Sequence, residues 1–318
     1  MNAKLSYTWT LTKRTFKEFI ADNPLDYAAI IGFYTIFSLP AVLIITIRIA
    51  GAVFGQDAVR GELVNQIGGV IGRSSAVQIQ NIIENASQSP ATTIGTLVGV
   101  ATMIFTATTV FVALQDSLNA MWEVKAKPEK AWLNLIIARV LSLAMVVSLG
   151  FLLLVSLSID VVLGVIYDYL RQELSGVAVY FVTVGNMLVS ILISIIIFAA
   201  IFKVLPDAKI KWHNVWVGAS VTAILFVIGK YVLTLYFQHD PLADTYGAAG
   251  SLVLILVWVY YTSIIFLLGA EFTQVYSRAH DKGILPEEHA VKVKKKEVEM
   301  DPDTGEVVEK EKEKGDSL

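Results

Sequence analysis

Hydrophobic positions along this chain fall into long unbroken blocks, unlike the alternations that mark half-buried helices or strands. Between Gly247 and Ala270 no side chain is charged. At about 1.5 Å of rise per residue, a helix of that length crosses a hydrocarbon layer of roughly 30 Å. Comparable blocks run over residues 28–53, 91–114, 135–166, 177–202 and 215–237, with the last at 247–272. A helix apolar on every face needs either an unusually large core or a bilayer around it. Six of them in 318 residues point to the bilayer. The pattern predicts an all-α integral membrane protein with six transmembrane helices over residues 28–279. The third block exceeds one bilayer thickness and must tilt or protrude.

The segments between blocks carry their own periodicity. Residues 1–27 set Trp9, Leu11, Phe16, Phe19 and Ile20 among Lys4, Lys13, Arg14 and Lys17, which suits an amphipathic helix at headgroup level. Asn23-Pro24 should end it. Pro40 sits inside the first block, where it removes a backbone donor and should kink the helix. In residues 56–90, apolar positions recur at helical spacing (Val59, Leu63, Ile67, Val70, Ile71, then Ile79, Ile82, Ile83) on either side of a Gly/Ser-rich break. Two short amphipathic helices outside the membrane are expected there. Ala91, Gly95 and Gly99 form a small-residue stripe that permits close helix approach. Residues 280–318 are charged and nearly free of aromatics, and a disordered tail is expected.

Composition agrees: 55% of residues are hydrophobic, 17% are charged, and the mean hydropathy is +0.63. The net charge of -3 hides an asymmetry. With six spans, one side of the membrane receives both termini, Lys125, Lys127 and Lys130 after the second span, and Lys203, Lys209 and Lys211 after the fourth. The other side receives Arg60, Arg73 and Arg171. By the positive-inside rule both termini of this multi-pass protein are expected to be cytoplasmic. The first twenty residues lack a signal-peptide core, so the first span should act as an uncleaved anchor. The absence of cysteine excludes disulfides, thiolate metal sites and cysteine nucleophiles.

Charges at membrane depth are the remaining candidates for chemistry, since each is costly unless paired or solvated. Depth counting along the helices groups them into an outer layer (Arg48, Asp160, Lys230) and an inner layer (Asp116, Arg139, Glu271). One reading lines a polar cavity for an anionic or lipid-like solute. The other makes them ion pairs between helices, or arginines snorkelling to headgroups. The second is preferred for Arg48, Arg139 and Asp116, whereas both stay open at the deeper Lys230. His213, His239, His280 and His289 lie far apart, so no metal site and no cofactor is expected. Neither a phosphate-binding G-x-x-x-x-G-K-[ST] loop nor a G-x-S-x-G elbow occurs. Trp258, Tyr260 and Tyr261 read as packing or lipid contact.

Several short patterns, in order, carry a resemblance. They are Phe33-Tyr34 with Phe37-Ser38-Leu39-Pro40, Leu114-Gln115-Asp116 with Asn119 and Trp122, and Leu205-Pro206-Asp207 with Trp212, Gly218 and Lys230. Tyr246-Gly247-Ala248-Ala249-Gly250-Ser251 and Leu268-Gly269-Ala270-Glu271-Phe272 complete the set. Together they resemble the YihY/BrkB family of bacterial inner-membrane proteins over most of the chain up to Ala279. The resemblance implies six membrane helices and a transport role with no agreed solute, and it supplies no catalytic residues. Some members have carried the label ribonuclease BN, but no ligand cluster or basic aromatic face here supports nuclease chemistry or nucleic-acid binding. The expectation is a transporter or translocase, not an enzyme, in contact with membrane lipids. A non-transporting scaffold for envelope assembly is the alternative, and the sequence leaves a homo-oligomer open.

Overall fold

The computed structural model describes residues 2–57, 59–61, 77, 80, 93–127, 139–140, 144, 176–239, 250–293, 299–300 and 307–308. Within them the chain forms α1 (Asn2–Ala21), α2 (Pro24–Phe54), α3 (Thr93–Met121), β1 (Val124–Ala126), α4 (Gly176–Val204), β2 (Ala208–Lys209), α5 (Trp212–His239) and α6 (Gly250–His280). Four short strands follow: β3 (Leu285–Pro286), β4 (Ala290–Lys292), β5 (Glu299–Met300) and β6 (Val307–Val308). Among the described residues, five helices are long and apolar enough to cross a membrane: the stretches Pro24–Arg48, Ala101–Met121, Met187–Val204, Trp212–Leu233 and Leu252–His280. The expected third span lies outside the described residues except for 139, 140 and 144, which are helical, and most of 56–90 lies outside them too. This is an all-α integral membrane architecture. Large apolar side chains stand exposed along α4 (Met187, Leu188, Leu192) and α5 (Ile224, Ile228, Leu235), as expected where lipid replaces water as the solvent.

Local chemistry sets the helix boundaries. Asn23 adopts a left-handed conformation at φ 52°, which asparagine tolerates, and Pro24 then occupies the first turn of α2. The first span therefore begins four residues before the expected 28. α2 continues through Pro40. α3 runs seven residues past the expected 114 because Gln115, Ser117 and Asn119 are buried in its last turns instead of facing solvent. Glu123, at φ 54°, turns the chain out of α3 and into β1.

The hub is α6, which packs against α1, α2, α3 and α5; α2 also packs on α3, and α4 on α5. Enclosure by four neighbours leaves α6 no solvent-facing stripe between Leu267 and Ser277. Leu267, Ala270, Glu271, Thr273 and Val275 are all fully removed from solvent. The α5–α6 contact is a reciprocal lock. A Cβ on Gly218 would lie 1.9 Å from Thr273 Oγ1, and one on Gly269 would lie 1.9 Å from Thr222 Oγ1. Each threonine hydroxyl in turn donates to the carbonyl oxygen of the glycine four residues earlier on its own helix, Thr222 to Gly218 at 2.8 Å and Thr273 to Gly269 at 2.7 Å. No hydroxyl is left bare in the apolar contact. Elsewhere Trp122, Phe202 and Phe266 form a chain of rings, and Trp122 Nε1 donates to the Ala270 carbonyl oxygen at 3.0 Å.

The last turns of α1, the beginnings of α2 and α5 and the ends of α3, α4 and α6 converge on one face, here called the terminal face. Two small antiparallel pairs cover it: β1 with β4 (Val124 opposite Lys292) and β2 with β3 (Ala208 opposite Pro286). The expectation of a disordered tail from residue 280 onward thus fails for 281–293. Ile284 and Ala290 bury their side chains, and the backbone of β3 and β4 finds partners on the connections after α3 and α4. The high charge of the tail as a whole masked these few apolar anchors.

Candidate functional site

Three polar clusters occupy the terminal face. The first is centred on Asp207, placed by Pro206 directly after α4. Gln115 and Asn119, one turn apart on α3, present their amides on one side of the helix. Gln115 Nε2 and Asn119 Nδ2 donate to the Asp207 carboxylate at 3.1 and 2.8 Å, and the Asp207 backbone N–H donates to Asn119 Oδ1 at 2.9 Å. From the tail, His289 Nε2 lies 3.0 Å from Asp207 Oδ1, and Glu287 N–H donates to the Asp207 carbonyl oxygen. One carboxylate thereby ties together α3, the α4–α5 connection and the tail.

The second cluster is centred on Arg278, whose two amino groups donate to Glu18 of α1 at 2.7 Å and to Glu123 at 2.9 Å. Arg14 donates to the other oxygen of Glu18 at 2.7 Å. Lys292 Nζ donates to the Trp122 carbonyl oxygen at 2.7 Å and stands 3.6 Å from Glu123. Partial burial pushes the Lys292 amine below the usual lysine range, with Glu123 acting in the opposite direction. In the third cluster Asp281 pairs with Lys211 and accepts from Asn214 Nδ2 at 2.9 Å. These hydrogen bonds hold its carboxyl below the usual range.

Behind Arg278, deeper along the same face of α6, lie Gln274 and Glu271. Glu271 is fully buried, and among the described residues no donor is hydrogen-bonded to either of its carboxylate oxygens or to Gln274 Oε1. The groups acting on Glu271 are the carboxylates of Asp22 and Glu18, the latter near enough to share a proton with it, and the Arg278 guanidinium.

The expected inner layer of Asp116, Arg139 and Glu271 is not a layer. Asp116 faces outward from α3, with its charge acting against Asp207. Arg139 reaches much further along α3. Its Nη1 donates to the Phe105 carbonyl oxygen at 3.2 Å and to the hydroxyls of Thr108 and Thr109 at 3.0 and 3.3 Å, and its guanidinium carbon lies 4.2 Å above the Phe105 ring. Those partners are seven to eleven residues from Asp116, about 10–16 Å along the helix. Depth counting failed here because an arginine side chain extends well beyond the level of its own backbone. Of the outer layer, Arg48 and Lys230 are both exposed, and Asp160 lies outside the described residues. Among the described residues no group of three or more His, Asp or Glu side chains could hold a metal ion. Sequence reading missed the roles of Asp207, His289, Glu18, Glu123 and Arg278. A usable signal was present in the amide pair Gln115/Asn119 at the end of an apolar helix, which calls for a polar partner from another connection.

A bundle of long apolar helices with its polar groups gathered at one face is an integral membrane protein. A family model described as virulence factor BrkB matches residues 15–294, and the chain belongs to that family. Similar chains are UPF0761 membrane proteins. One from Verminephrobacter eiseniae is 27% identical over 275 residues, covering 84% of this chain and 62% of the relative. One from Pseudoalteromonas atlantica is 26% identical over 253 residues (77% and 78%), and one from Pseudoalteromonas translucida is 25% identical over 297 residues (87% and 93%). No solved structure matches the chain.

Proposed function

We propose that the chain moves an anionic or lipid-like solute across the membrane its helices span. The observation that carries this reading is Arg139. Its guanidinium lies beside Phe105–Thr109, near the midpoint of α3, and its partners among the described residues are a carbonyl oxygen, two hydroxyls and an aromatic ring, all of them neutral. An intramembrane cation whose described partners are all neutral attracts an anion, and a guanidinium presents five N–H donors suited to carboxylate or phosphate. Threonine hydroxyls and the Phe105 ring would fix its orientation without cancelling its charge.

The scaffold reading has support of its own. The Gly–Thr lock between α5 and α6 and the Asp207 cluster favour a bundle that holds its shape. Reconstitution into liposomes with a panel of small anions and labelled anionic lipids separates the two. The transport reading expects movement of at least one solute, with Arg139→Gln weakening it. Loss of a charged hydrogen bond costs about 1.5–3 kcal/mol, roughly tenfold or more in apparent affinity. A chain that is correctly folded in the vesicles but moves none of these solutes favours the scaffold.

A further inference from the structure

Three acceptor oxygens on one face of α6, both carboxylate oxygens of Glu271 and Oε1 of Gln274, are buried and have no hydrogen-bonded donor among the described residues. Glu271 and Gln274 are three residues apart and so adjacent on the helix surface, with Arg278 next in line toward the terminal face. Acceptors gathered without donors are incomplete: each has lost its water and gained nothing in return. What such a group lacks is a proton or a cation. A charged carboxylate is poorly tolerated there, whereas a protonated carboxyl group gains a donor of its own and needs no counter-ion.

The surroundings show how such a site would be loaded. Glu18 and Asp22 face Glu271 from α1 and the turn after it, Arg278 faces it from its own helix, and Lys292 from β4. Glu123 reaches the group through its contacts with Arg278 and Lys292. At the same end of the other helices packed on α6 stand Asp26 of α2, Asp116 of α3 and His213 of α5, the last with its Nε2 3.1 Å from Tyr276 Oη. Arg278 is already committed to Glu18 and Glu123, so it does not neutralise Glu271 in this arrangement. Ionised, Glu271 competes with Glu18 for Arg278 and repels both Glu18 and Asp22. The Arg278–Glu18 pair is a principal polar tie between α1 and α6, so that competition loosens α1.

We propose that Glu271, assisted by Gln274, is a proton-binding site, and that its proton controls the docking of α1 on α6. With the proton bound, α1 is seated as described above. Release of the proton frees Arg278 from Glu18 and lets α1 swing off the terminal face, opening the path by which the site is reloaded. The site needs no solute, so its test is independent of the transport reading.

The test uses the full chain in lipid nanodiscs. Because the chain has no cysteine, Lys13→Cys and Lys282→Cys together give a spin-label pair reporting the α1–α6 distance. The expected result is a single short distance at acid pH and a growing long-distance population as pH rises. Glu271→Gln should hold the short distance at every pH, while Glu18→Gln should populate the long one even at acid pH. Difference infrared spectra should contain a titrating protonated-carboxyl band that Glu271→Gln removes. If Glu271→Gln does not fold, the infrared titration is read by comparing the unsubstituted chain with Glu271→Asp, which should move the band, not abolish it. The proposal is overturned if Glu271 substitution leaves the titrating carboxyl band unchanged, if the distance is independent of pH, or if sodium at fixed pH reproduces the whole change.

Discussion

The Gly218–Thr273 and Gly269–Thr222 contacts are the tightest points of the bundle, and each rests on the absence of one carbon atom. Gly218→Ala places a methyl group 1.9 Å from Thr273 Oγ1, far inside any tolerated separation. Overpacking of this kind typically costs about 1–3 kcal/mol. The thermal midpoint of the Gly218→Ala protein in detergent should fall accordingly. Adding Thr273→Ala removes the oxygen and should restore part of the loss, whereas a distant Thr→Ala change should restore none. The Asp281 carboxyl supplies a pH-dependent counterpart. Lys211 and Asn214 hold it below its usual value of 3.8 in the folded chain. The stabilisation is therefore present above that value and is lost as pH falls through the lower, folded-state one. Acidification below about pH 4 should lower the midpoint of the native chain more steeply than that of Asp281→Asn.

At the scale of elements, the short connections decide how the helix ends are held. Asp207 joins α3, the α4–α5 connection and the tail, so Asp207→Ala should act on all three together. It leaves the amides of Gln115 and Asn119 without an acceptor at a part-buried site, and each charged hydrogen bond lost is worth about 1.5–3 kcal/mol. Limited proteolysis should then cut within residues 284–292, which the native chain protects, while His289→Ala should expose the tail with a smaller effect on the midpoint. The five described spanning helices were legible in the sequence, because lipid-facing and enclosed helices must both be apolar and an apolar run sets their approximate length. Their ends were less so. α3 continues through Gln115, Asp116 and Asn119 because its polar groups find partners in the α4–α5 connection, and no local pattern announces a partner some ninety residues away. For the same reason Arg278, Glu18 and Glu123 read as three unrelated surface charges until the fold brings them together. Glu271 was singled out by its depth and by the Leu268–Phe272 pattern, and in the structure its side chain is fully buried. Arg139 was placed too near the interface, since backbone position does not fix where a long side chain ends.

For the whole molecule, the described helices share one polarity at the terminal face: α3, α4 and α6 end there, and α5 begins there. The face bearing α1, β1 and β2 also carries Lys13, Lys125 and Lys209, among the lysines from which the sequence led us to expect a cytoplasmic side. The most direct test of this arrangement is cysteine accessibility in intact and permeabilised cells, using the naturally cysteine-free chain and a membrane-impermeant maleimide. Lys17→Cys, Lys209→Cys and Lys282→Cys should react only after permeabilisation, and Gln56→Cys should react in intact cells. Labelling that places residue 17 and residue 282 on opposite sides, or Gln56 on the same side as both, would contradict the bundle described here.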